Sequence, residues 1–180
     1  MSCALSLHQR PATAQSDSAF EHARVSLTSV HHYVAADAVP RGLTAPRNLI
    51  VPLMYRPLIE SMLRDSPTFR RQCIRIAAEP TLTVRLAVGS APSRSGIRAA
   101  TRMRRTATGQ LTAFVDIGLF ENTEELVAHE VEHIIEQLDG IDLPARAALS
   151  NTGVTEIGYD LFETTRAQRT GLKVVSELRR

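Results

Sequence analysis

The sequence predicts an α+β fold, and three observations lead there. Runs of alternating apolar and polar residues mark strands. Two apolar-periodic stretches between them mark helices. A long helical pattern then follows the strands instead of alternating with them. At 180 residues the chain is long enough to bury a core without a disulfide framework.

Composition narrows the class further. A hydrophobic fraction of 43% with 22% charged residues is that of a globular chain, and aromatics at only 4% require an aliphatic core. No run approaches the roughly 20 uncharged apolar residues of a membrane span. The net charge of +2 gives no ground for a nucleic-acid partner. Cys3 and Cys73 lie far apart with no CxxC spacing, and Cys73, in a helical pattern, reads as a reduced core thiol.

Residues 1–20 are expected to be a disordered start and residues 21–180 a single domain. The first fifteen residues lack the basic segment and apolar run of a signal peptide, although Ala12-Thr13-Ala14 has the look of a cleavage site. The chain as written reads as cytoplasmic, and as exported or periplasmic if this is the end of a truncated signal.

Val25, Leu27, Ser29 and His31 alternate with Arg24, Ser26, Thr28 and Val30, a strand pattern running to about Val34. Pro40, Gly42, Pro46 and Pro52 make the next stretch a loop, with a short strand at Leu49–Val51. A helix is expected near Pro52–Arg64, its buried side formed by Leu53, Met54, Leu58, Ile59, Met62 and Leu63. Ser66-Pro67 reads as the cap and first residue of a second helix, which Pro80 stops. Thr81–Val88 alternates as a strand. Ile97–Arg105 and Leu111–Leu119 flank Thr108-Gly109 as a hairpin.

Asn122 then opens the strongest helix, with Glu125 completing a capping-box pair and Gly140 ending it. A final helix is expected over about Asp160–Thr170, stopped by Gly171.

His129-Glu130-Val131-Glu132-His133, an HExxH motif, lies inside the strongest helix. Residues four apart share one face of an α-helix, so both imidazoles can reach one ion. Glu130 is rotated by about 100° from His129 and can meet water instead of the metal. Zinc held by two His and a third ligand lowers the pKa of water toward about 7, and the carboxylate takes the proton as general base. The competing reading is a solvated helix face on which Glu132 and Glu136 are surface charges.

Here the sequence resembles the zincin superfamily of HExxH metallopeptidases. The order Thr81–Val88, Ile97–Arg105, Leu111–Leu119 and then His129–His133 looks like a minimal zincin core. The resemblance covers about half the chain, 81–172. It implies a small twisted mixed sheet with an arginine-rich edge hairpin, packed on an active-site helix and a following C-terminal helix. It is nearest to the gluzincin-like peptidases, which implies zinc as cofactor and a third ligand Glu on the next helix.

Glu163 is the preferred third ligand, and its alternative role is to complete a helix cap with Asp160. Glu156 reads as loop. Asp139, on a continuous helix, points away from His133. His31 and His32 face opposite ways on a strand. The fuller gluzincin pattern has an Asp where Ala167 stands, so support for one His is unexplained. Tyr159 and Arg166 flank Glu163, placed to orient it or to stabilise an oxyanion.

Arg94, Arg98, Arg102, Arg104 and Arg105 cluster within twelve residues, in the loop before the hairpin and on its first strand. They read as a charged edge strand that resists aggregation, or as a rim favouring an acidic substrate or partner at Arg98, Arg102 and Arg104. No aromatic residue interleaves them, which argues against nucleic acid.

The expected function is zinc-dependent hydrolysis of a peptide or protein substrate at an open, largely unlidded site, with Glu130 as base and His129, His133 and Glu163 on the metal. Two alternatives stand beside it: a non-catalytic zinc or protein-interaction module with the same fold, and a basic adaptor acting through the arginines.

Overall fold

The computed structural model describes residues 2–7, 44–89, 96–118, 122–158 and 160–180. The strand expected over Val25–Val34, with His31 and His32, lies outside them, as do Arg94 and Tyr159.

In chain order the elements are β1 (Ser2–Leu7), β2 (Leu49–Ile50), a 3-10 turn (Leu53–Tyr55), α1 (Arg56–Asp65), α2 (Pro67–Ala77), β3 (Leu82–Val88), β4 (Ile97–Arg105), β5 (Leu111–Ile117), α3 (Thr123–Leu138), α4 (Leu143–Ala147), β6 (Val154–Gly158), β7 (Leu161–Thr164) and α5 (Thr165–Leu178). The fold is therefore α+β, with one mixed sheet and five α-helices among the described residues. No helix among them is long and apolar enough to cross a membrane.

The strands run β2-β3-β5-β4-β1-β7-β6 across the sheet. β4 and β5 form the expected antiparallel hairpin, while β3 lies parallel to β5 and β1 parallel to β4. The hairpin is thus in the sheet interior and not at its edge. Its arginines mark a face: Ala99, Thr101 and Met103 are buried, and Arg102 and Arg104 are exposed. Alternation reports which side of a strand meets water and says nothing of which neighbours flank it. Within the start expected to be disordered, Ser2–Leu7 forms β1 and pairs with both β4 and β7, while residues 8–20 lie outside the described residues.

The helices cover the other face. Leu82, Val84, Ala113, Val115, Ile117 and Met103 pack with Ile59, Met62, Phe69, Ile76, Leu126, Val131, Ile134 and Val174 in one aliphatic core. Leu53 and Met54 are not part of it, being 76% and 75% exposed; Pro57 at the start of α1 leaves them on the preceding 3-10 turn. Cys73 is a free buried thiol whose pKa burial pushes up to about 12.

Ser66 caps α2 as expected, accepting from the Phe69 N–H at 3.0 Å. Its hydroxyl also donates to Glu177 at 2.6 Å, and Glu177 accepts from the Thr68 N–H and hydroxyl. That carboxylate ties the end of α5 to the start of α2.

α3 begins differently from the expected capping box. Asn122 sits in the left-handed region at φ 66° and makes no side-chain cap. At the other end Gly140 adopts φ 73°, with Gly140 N–H donating to Gln137 and Ile141 N–H to Glu136. This is a Schellman motif.

The expected last helix divides in two. Leu161–Thr164 is a strand, Thr164 caps α5 by accepting from Ala167 N–H, and the helix runs on to Leu178. Gly171 does not stop it. A Cβ there would stand 2.9 Å from the Glu125 carbonyl and 3.3 Å from His129 Cβ, so the glycine lets α5 approach α3 beside the motif.

Candidate metal centre

Every residue of α3 from Leu126 to Glu136 is buried, because the sheet, α2 and α5 surround the helix. Five of these residues are His129, Glu130, Glu132, His133 and Glu136. Polar groups in such a place are stable only with partners, so their contacts describe the site.

His129 Nε2 and His133 Nε2 lie 3.1 Å apart, with ring planes at 72°. Glu163, the last but one residue of β7, brings Oε1 to 3.2 Å from His129 Nε2 and 3.8 Å from His133 Nε2. One ligand atom from each of the three lies within 4.8 Å of the others, so the group could hold a metal ion. The same atoms also satisfy one another as an ion pair when His129 carries a proton.

Burial pushes the His129 pKa down. The Glu163 hydrogen bond and the charges of Glu130, Glu163 and Glu136 outweigh it, and the net shift is upward. For Glu163, burial pushes the pKa up, but its contacts with His129, the charge of His133 and the Thr164 N–H bring it below the ordinary value. The opposite shifts of the two partners agree on a charged pair in the metal-free site.

Glu130 is fully buried on the same helix. Its Oε2 accepts from the Thr101 hydroxyl at 2.7 Å, and its Oε1 has no hydrogen-bond partner. Burial raises its pKa, against the lowering effect of His133, His129 and Thr101.

His133 Nδ1 faces Glu136 Oε2 at 3.0 Å. A carboxylate oxygen accepts, so Nδ1 carries the proton and Nε2 offers its lone pair to the cluster. Glu136 Oε1 in turn accepts from the Thr164 hydroxyl at 2.7 Å. Glu132 accepts from Gln72 at 2.8 Å and from Arg166 at 2.6 Å, joining α3 to α2 and α5.

The structure thus brings together His129, Glu130, His133 and Glu163, the last from a strand and not a helix. It does not bring in Glu156, exposed on β6, or Asp139, which caps α3 and meets Arg166 at 2.9 Å and Arg75 at 3.5 Å. Arg166 binds Glu132 and Asp139, so the expectation that it orients Glu163 is corrected. Glu132 and Glu136 are buried partners and not surface charges. The site is also not open: His129 is 5% exposed and Glu163 7%.

Sequence reading missed Glu136, Thr101 and Thr164. Glu136 had a signal, since a carboxylate three residues after His133 lies on the same helix face. Thr101 had none, because its contact depends on how β4 seats against α3.

No family model, curated protein or solved structure matches this chain.

Proposed function

We propose that the protein is a zinc-dependent metallohydrolase of the zincin type, acting on a peptide or protein substrate. The observation that carries this reading is the convergence of His129, His133 and Glu163 within 4.8 Å on a buried helix and its neighbouring strand. Ligands about 2.0–2.1 Å from a tetrahedral zinc stand roughly 3.3 Å from one another. The separations of 3.1, 3.2 and 3.8 Å are close to that spacing. Two neutral imidazoles and a carboxylate are also a donor set that zinc accepts. The succession β3, β4, β5, α3 supports the zincin comparison, although β1 flanks β4 here.

Zinc in this site would lower the pKa of water and polarise a carbonyl. The remaining work falls to the chain. Glu130 Oε1, buried and unpartnered, takes the proton from water and passes it to the leaving nitrogen. Thr101 holds Oε2, leaving the other oxygen for this role. Glu136 keeps the His133 proton on Nδ1. Arg104, exposed on the sheet face away from the helices and from the metal centre, and half-buried Arg98 favour an acidic partner segment on that face, where Arg102 already holds Asp116 at 2.6 Å.

The near-complete burial of all four residues favours a second reading, a non-catalytic zinc or protein-interaction module, since structural zinc sites are closed. Assay of zinc-loaded protein against a peptide mixture separates the two. The hydrolase reading expects cleavage that stops with chelator and in Glu130→Gln, which still binds zinc. Cleavage that persists in Glu130→Gln contradicts it, and zinc uptake without cleavage favours the second reading.

A further inference from the structure

Thr164 lies between the third-ligand candidate and the first turn of α5, and it makes three separate contacts. Its N–H donates to Glu163 Oε1 at 2.8 Å, on the oxygen that faces both histidines. Its hydroxyl oxygen accepts from Ala167 N–H at 3.0 Å. The hydroxyl proton is therefore directed to Glu136 Oε1, at 2.7 Å. Beyond it, Glu136 Oε2 receives the Nδ1 proton of His133. The donors converge on Glu136: Ala167 N–H gives to Thr164, Thr164 O–H to one oxygen of Glu136, and His133 N–H to the other.

Thr164 and Glu136 are both buried, at 3% and 2% exposure. Both line a cavity of about 430 Å³, yet their polar atoms meet each other, so the geometry of one group is transmitted to the next. Through its N–H and its hydroxyl, Thr164 fixes a carboxylate from β7 and an imidazole from α3 relative to each other.

The geometry points to Thr164 as the positioning residue of the metal centre, acting on His133 through Glu136 and on Glu163 through its own N–H. This rests on the metal-binding reading above. It adds a residue that touches neither ion nor substrate and a route by which it acts.

The test compares zinc affinity, by competition with a chromophoric chelator, and the visible spectrum of the cobalt(II)-loaded full chain. It uses wild type, Thr164→Val, Thr164→Ser, Glu136→Gln and the Thr164→Val/Glu136→Gln double variant. Removal of an outer support of this kind weakens metal binding by about 10- to 100-fold. Thr164→Val is expected to fall in that range with an altered cobalt spectrum, and Thr164→Ser to return to within about threefold of wild type. The two single losses in affinity should not add in the double variant, because they break one chain. Loss of the helix cap alone lowers melting temperature in both backgrounds and leaves the spectrum of folded protein unchanged.

Additive losses, or a folded Thr164→Val with wild-type affinity and spectrum, overturn the proposal. If Thr164→Val does not fold, Glu136→Gln with unchanged affinity and spectrum overturns it equally. A wild type that takes up neither metal removes the metal-binding reading itself, an outcome distinct from these.

Discussion

Glu163 Oε1 stands 3.2 Å from His129 Nε2, a contact that joins β7 to the middle of α3. With His133 Nε2 at 3.8 Å from the same oxygen, it closes a three-residue group that neither element makes alone. Four consequences can be measured.

The first concerns pH. The His129 pKa is raised in the folded, metal-free protein, despite the opposing effect of burial, by Glu163 and the surrounding carboxylates. A raised folded pKa means that the protonated pair stabilises the apo fold fully below the ordinary histidine value of 6.5, and that this is lost as pH rises through the raised value. Zinc needs the neutral ring, so binding displaces the proton. Across that window the melting temperature of the metal-free protein should fall with rising pH. Zinc affinity should rise, by about tenfold per pH unit for one displaced proton. Parallel melts and chelator titrations check both slopes, and slopes of the same sign contradict the prediction.

Glu130→Gln should stabilise the metal-free fold at neutral pH while removing turnover. Burial raises the Glu130 pKa, so ionising it is unfavourable in the fold from the ordinary carboxylate range upward to the raised value. An amide carries no such penalty and can still accept from Thr101. The difference from wild type is expected to grow as pH rises through the window. Denaturant titrations at acid and neutral pH read it, and a variant less stable than wild type at neutral pH speaks against a strained carboxylate.

Gly171→Ala tests how closely α5 must lie on α3. The added Cβ would meet the Glu125 carbonyl at 2.9 Å and His129 Cβ at 3.3 Å. Backbone must move to admit it, at a cost of about 1–3 kcal/mol. Because the clash lies beside His129, zinc affinity should fall together with stability. An exposed control, Gln168→Ala, should change neither measurably.

Much of this was legible in the sequence because it depends on local periodicity. Ser66-Pro67 capping α2, the β4–β5 hairpin and the HExxH helix each declare themselves within a few residues. What was not legible depends on partners far along the chain. The alternating arginines of β4 fix an exposed face, but only the pairing of β4 with β1, Ser2–Leu7, makes the strand internal. Gly171 has the residue type of a helix stop, and its meaning comes from the Glu125 carbonyl it meets. Asp160 and Glu163 match a capping pattern, yet Thr164 is the residue that caps. Glu163 was found by its type and resemblance, on the wrong kind of element. Glu136 was misplaced because a charged residue reads as a surface residue until a buried imidazole is seen to need it.

The central claim is that His129, His133 and Glu163 jointly hold one divalent ion, and elemental analysis of the purified full chain after zinc loading and desalting tests it most directly. The prediction is close to one zinc ion per chain in wild type, Glu156→Ala and Asp139→Ala, with nearly complete loss in His129→Ala and Glu163→Ala. A wild type that emerges without zinc, or a Glu163→Ala variant that keeps its full complement, contradicts it.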